Sequence, residues 1–160
     1  LNKFSQAEEY ARKILELGES SFYLIVGHLL LADIYLYQKQ PEKALKYGET
    51  AVHIDPDSPF ALVELASIYA ALGEKEKSLE KLEETLRHPI EHEWMFSRVI
   101  LTYALLQEKE KVYAWINKWM AENLIEWIFL EYNPLLEEMR KEVEFQRLLR
   151  EIKNKIINSE

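Results

Sequence analysis

The run Glu-Lys-Glu-Lys fills residues 74–77 and returns at 108–111, 34 residues later. One period upstream, Pro41-Glu42-Lys43-Ala44 stands in the same frame. A period of this length implies stacked copies of one supersecondary unit, because each copy can bury its apolar face only against its neighbours. Three windows align at that spacing: 25–58, 59–92 and a looser 93–126. Tyr35, Tyr69 and Tyr103 share one column, as do Leu31, Leu65 and Val99, and then Ala32, Ala66 and Ile100. A second small-residue column holds Ala44 and Ser78, and Val112 interrupts it.

Within each half of a window the apolar residues recur at three and four, which is the helix period. The halves are separated by 38–41, Gly73-Glu74 and Gln107-Glu108, where Pro41 suits a helix start and Gly73 a helix stop. Each unit therefore reads as two antiparallel helices joined by a tight turn. The small residues at 32/44 and 66/78 let the two helices cross closely. Only four Gly and five Pro in 160 residues agree with long helices and short turns. The repeated charges lie at the start of each second helix and are expected to form a solvated face. Tyr35 and Tyr69 are expected to be largely buried, and Glu64 and Arg98, both at position six of a first helix, to approach each other as surface charges.

These columns resemble the tetratricopeptide repeat. Its spaced small, Tyr, Ala, Ala and Pro positions correspond to Ala32, Tyr35, Ala44, Ala51 and Pro56 in the first unit. The second unit keeps Leu62, Leu65, Ala66, Tyr69 and Gly73 but has Ser78, Thr85 and Ile90 at later family positions; the third keeps chiefly Tyr103 and the turn. Upstream, residues 6–18 resemble a second helix alone, with Ala7, Ile14, Leu15 and Leu17 in the family's places. The resemblance implies an all-α, right-handed helical solenoid: one domain over 1–160, with a half repeat at 5–17, repeats at 25–58, 59–92 and 93–126, and a C-terminal cap at 127–157. Leu1 falls inside the pattern, which predicts a piece of a longer protein.

The tail departs from the columns. Leu135, Leu136 and Met139 form one apolar stripe, and Phe145, Leu148, Leu149, Ile152 and Ile156 a second. Asn133-Pro134 reads as a cap followed by a first-turn proline. The stretch from Asn133 to Leu149 resembles the sequence that closes tetratricopeptide modules of bacterial signalling proteins, with Val143 where that group usually carries Pro. Physically, a solenoid must cover its last apolar face.

A net charge of −8 opposes phosphate binding, so nucleic acid is not expected as a partner. The absence of Cys removes disulfides, thiol nucleophiles and cysteine zinc sites. Nothing therefore reports the redox compartment, although the cytoplasm is favoured. The apolar run 22–37 carries His28 and Asp33, is short for a bilayer span, and reads as a buried helix. Gly18, Gly27, Gly48 and Gly73 are too scattered for a phosphate loop. His92-Glu93 begins a zincin-like motif that Phe96 breaks, and Pro89 separates His88 from His92. Glu83-Glu84 lies on a charged helix face without a pocket to shift its pKa. His28 is expected to be a hydrogen-bonded core histidine, and Trp115, Trp119 and Trp127 to be core. No catalytic residue, metal or cofactor is expected.

The resemblance implies that positions two, five, nine, twelve and thirteen of each first helix line a concave groove. These are Val26, Leu29, Asp33, Leu36 and Tyr37; Phe60, Val63, Ser67, Ala70 and Ala71; and Trp94, Ser97, Leu101, Ala104 and Leu105. Family members that hold acidic chaperone C-termini carry Lys, Arg and Asn there, and this mostly apolar set argues against that role. The expected function is non-enzymatic binding of an apolar or amphipathic protein segment through Leu29, Asp33, Leu36, Tyr37, Phe60, Val63, Trp94 and Leu101. The alternative is a self-associating, homodimeric regulatory module of a larger signalling enzyme, such as a nucleotide cyclase, or of a transcription regulator. In either case the groove is filled by a protein partner, the chain's own tail or a second copy.

Overall fold

The computed structural model describes residues 3–18, 20–90, 92–122 and 127–157, with the side chains of Ile156 and Ile157 outside the description. All regular structure among them is helical, and it falls into two compact units, Leu1–Pro89 and Ile90–Glu160.

The first unit contains α1 (Lys3–Glu16), α2 (Ser21–Tyr37), α3 (Pro41–Ile54), α4 (Pro59–Ala71) and α5 (Lys75–Leu86). Each helix packs on the next, and α2 also meets α4. Helix starts follow local chemistry. Ser20 and Ser58 cap α2 and α4, their Oγ atoms accepting from the N–H groups of Tyr23 and Ala61, each at 3.5 Å. Pro41 and Pro59 occupy first-turn positions, where a missing N–H costs nothing.

The turn within each pair is set by the backbone. Lys39, Gly73 and Gln107 have φ of 58°, 78° and 61°, and they stand 34 residues apart. Beside them the N–H groups of Gln40, Glu74 and Glu108 donate to the carbonyls of Tyr35, Tyr69 and Tyr103, each at 2.9 Å. This left-handed closure returns the last carbonyls of the first helix to the chain. Only Gly73 adopts it without a Cβ penalty. Lys39→Gly and Gln107→Gly are each expected to raise stability by about 0.5–1 kcal/mol. Gly73→Ala is expected to lower it by a similar amount. Chemical denaturation of the three variants checks this, and a destabilised Lys39→Gly would refute it.

The small-residue crossings are present. Ala32, Ala44, Ala66 and Ser78 are fully buried, and the Ser78 hydroxyl donates to the Ala66 carbonyl at 2.8 Å, joining α5 to the backbone of α4. A Cβ on Gly48 would meet Ile68 Cδ1 at 2.6 Å, so α3 seats α4 just as closely. The tyrosine column is less covered than expected. Tyr35 and Tyr69 are half-buried, and Tyr103 alone is buried. The reason lies in the repeated charges: Lys43 Nζ stands 5.6 Å from the Tyr35 ring centroid and Lys77 Nζ 5.5 Å from that of Tyr69. The ring faces meet ammonium groups at the surface.

The second unit contains α6 (Glu93–Leu105), α7 (Lys109–Ala121), α8 (Trp127–Tyr132), two 3-10 turns (Pro134–Leu136 and Met139–Lys141) and α9 (Val143–Ile157). Residues 123–126, which end the third repeat as read from sequence, lie outside the described residues. His92 caps α6, its Nδ1 accepting from the Trp94 N–H at 3.2 Å. Asn133 Oδ1 accepts from the Leu135 N–H at 2.9 Å, so Asn133-Pro134 forms the expected cap, here on a 3-10 turn. Arg140 closes the loop by donating to the Asn133 carbonyl at 2.7 Å.

The tail packs as a cover. Leu136, Met139, Phe145, Leu148 and Ile152 are buried, while Leu135 and Leu149 are half-buried. Helix α9 touches α7, α8 and the turn at Met139–Lys141. Trp119 is fully buried, parallel to Phe96 with ring centroids 6.1 Å apart and edge-on to Phe129 at 6.3 Å. Trp115 and Trp127 are half-buried, each with an ammonium over its ring, from Lys118 at 4.4 Å and Lys153 at 4.8 Å.

Candidate interaction surface

Helices α2 and α4 place the first-unit residues of the expected groove, and α6 places the rest. In the first unit Leu29, Leu36 and Val63 are buried and serve the core, Asp33 and Tyr37 are half-buried, and Phe60 is 38% exposed. The face left accessible is therefore aromatic with one carboxylate, flanked by Leu30 at 39% exposed. In the second unit Leu101 is fully buried and Trp94 is half-buried, with the Arg98 guanidinium 5.0 Å from its ring centroid. Glu64 and Arg98 are buried, contrary to their reading as surface charges. Position six is buried in α4 and α6, whereas Leu30 at the same position of α2 is exposed, so charge at that position does not mark a surface.

Sequence reasoning also missed a cleft of about 350 Å³ in the first unit. Phe4, Ala7 and Tyr10 of α1 form one wall, Leu30, Asp33 and Tyr37 of α2 the other, and the buried Ala11 and Ile34 complete it. The available signal was Leu30, an aliphatic residue at the position where the following repeats place Glu64 and Arg98. In the second unit, Ala104 and Leu105 at the end of α6 line a cleft of about 460 Å³ whose other wall includes Leu135 and Met139 of the tail. Its rim carries the pairs Lys109–Glu142 and Lys141–Glu138, both at 2.6 Å.

Polar groups tie α1 to this surface. Tyr35 donates its hydroxyl to Glu8 Oε1 at 3.0 Å, and Arg12 donates to the same oxygen at 2.6 Å. The Arg12 hydrogen bond, with a further one from Tyr35, holds the Glu8 carboxyl below its ordinary range, while burial pushes the Tyr35 phenol up. Tyr35 stacks on Tyr47, with centroids 5.5 Å apart, and Tyr47 in turn lies 5.9 Å from the His28 ring.

His28 is half-buried and its Nδ1 has no hydrogen-bond partner among the described residues, so it is not the satisfied core histidine the sequence suggested. Burial depresses its pKa below the ordinary 6.5. The folded state therefore favours the neutral ring, and this part of the stability is complete above pH 6.5 and declines as pH falls below it. His28→Phe is expected to flatten the stability profile as pH falls below 6.5. Urea midpoints across that range check this; a variant with an unchanged slope would refute it.

The repeated pairs and their common turns define a helical-repeat protein. Residues 27–58 match the family model of the tetratricopeptide repeat. The matched stretch comprises α2 from Gly27 onward and all of α3. The chain is similar to the BBSome complex member BBS4 homolog of Drosophila melanogaster, 26% identical over 115 residues, which cover 72% of this chain and 23% of that protein. The chain thus spans less than a quarter of the length of that relative. No solved structure matches the chain. The tetratricopeptide repeat is generally a non-catalytic module that binds proteins or peptides. Among the described residues no helix is long and apolar enough to cross a membrane, and no group of His, Cys, Asp and Glu is placed to hold a metal ion.

Proposed function

We propose that the chain is a non-enzymatic protein-interaction module that takes an apolar or amphipathic segment on the first-helix face of its first unit. The observation that carries this reading is the tetratricopeptide repeat at residues 27–58. Its first helix keeps Asp33 and Tyr37 half-open, and Phe60 stands exposed on α4. An accessible aromatic at a repeat position that points away from the core is the type of anchor on which interfaces concentrate their energy. The relative's membership of a complex agrees with an assembly role. The buried Leu29, Leu36 and Val63 support the face by packing.

The test is selection of helical peptides from a displayed random library on the wild-type chain, followed by titration against Phe60→Glu. Peptides of the proposed site should lose at least about 30-fold in affinity, which is the hot-spot scale. The melting temperature should stay within a few degrees, because Phe60 lies outside the core. Selected peptides that bind the variant equally well would move the site elsewhere. A wild-type dimer dissociated by Phe60→Glu would assign the face to self-association.

A further inference from the structure

The cleft between α1 and α2 has an internal counterpart that is filled. Ala11 of α1 clusters with Leu31 and Ile34 of α2, while a Cβ on Gly48 of α3 would press on Leu65 and Ile68 of α4. Leu31 and Leu65, like Ile34 and Ile68, are 34 residues apart. Helix α1 therefore stands to α2 as α3 stands to α4. In this frame Ala7 corresponds to Ala44 and Tyr10 to Tyr47.

The α3 wall is covered by α2: Ala44 is fully buried and Tyr47 stacks on Tyr35. The equivalent α1 wall is open, with Ala7 exposed and Tyr10 68% exposed. The second wall differs in the same sense. Leu30 is exposed and Asp33 half-buried where the equivalent Glu64 and Ser67 of α4 are fully buried. Phe22, at the start of α2, is also 68% exposed. Helix α2 is apolar nearly all round, and such a helix calls for cover on every side.

We infer that this cleft is the seat of one more helix of the first-helix type. Its occupant is an apolar protein helix with a small residue against Ala7, as Ala66 lies against Ser78, and an aromatic against Tyr10, as Tyr35 lies against Tyr47. The cleft shares Asp33 and Tyr37 with the proposed interaction face but does not involve Phe60, and the assignment rests on α1 and on repeat geometry.

The experiment supplies such a helix. Residues 58–74, the natural first helix of the second repeat with its serine cap and turn, are joined directly ahead of Phe4, which keeps the repeat frame. The extended chain should stay monomeric and melt higher by about 5 °C or more. Oxidative footprinting of Tyr10 should fall several-fold. Ala7→Arg in the extended chain should abolish both effects, while the same change in the unextended chain should leave its midpoint unmoved, because Ala7 is exposed there. No rise and no protection of Tyr10, or effects that survive Ala7→Arg, would overturn the seat. An unextended wild-type dimer that Ala7→Arg converts to monomer would give the cleft to a second copy and overturn the assignment to an adjoining helix. Neither result depends on Phe60, so failure here leaves the interaction reading standing.

Discussion

Deletion of residues 143–160 is expected to unfold the second unit. The deletion removes Phe145, Leu148 and Ile152, each 1% exposed, and uncovers what they pack on in α7, α8 and the turn at Met139–Lys141. Three large apolar side chains contribute roughly 1.5–3 kcal/mol each on burial. Their sum is comparable with the whole stability of a small domain, about 5–15 kcal/mol. All four tryptophans, at 94, 115, 119 and 127, belong to this unit, so indole emission reports on it alone. The truncated chain should show red-shifted emission at 20–25 °C and no cooperative fluorescence transition. A blue-shifted, cooperative truncation would show that α9 is dispensable.

Trp119→Ala carries the second largest expected effect. The ring is fully buried between Phe96 and Phe129, so truncation leaves a cavity lined by aromatics. Such changes cost about 3–5 kcal/mol, or a fall in midpoint of roughly 12–40 °C for a unit of this size. The three remaining tryptophans keep the measurement possible. Among the described residues the buried Trp119 Nε1 has no hydrogen-bond partner, so Trp119→Phe removes that donor along with some volume. That variant should lose less than half as much stability as Trp119→Ala. Equal losses would mean that ring shape is not what Trp119 supplies.

Features that repeat were legible in the sequence, and features that depend on a side chain's particular surroundings were not. Pro41, Gly73 and the small residues at 32, 44, 66 and 78 act through the backbone or through absence of bulk, so their type alone predicts their place. Asn133-Pro134 and the stripe of Phe145, Leu148 and Ile152 likewise follow from chain-local rules. Residue type alone predicts exposure for Glu64 and Arg98, whereas a paired or hydrogen-bonded charge tolerates burial. Tyr35 and Tyr69 were judged by their column, and the ammonium groups of Lys43 and Lys77 that keep them at the surface belong to another helix. His28 was expected to be satisfied, yet it meets the Tyr47 ring instead. The open wall at Ala7 and Tyr10 escaped notice because exposure of a small residue and a tyrosine leaves no mark in composition.

The left-handed turn shared by Lys39, Gly73 and Gln107 has a consequence for how such a chain can change over generations. The bend is written in main-chain hydrogen bonds, so the side chain at its apex is read by nothing inside the pair. A lineage can replace that residue at the cost of about 1 kcal/mol and still keep the step from one pair to the next. Length is constrained far more tightly. One residue inserted in the turn would rotate the second helix by about 100°, turning its small residues away from the crossing. Mutational drift in these turns should therefore run through substitutions, with insertions and deletions confined to the connections between pairs.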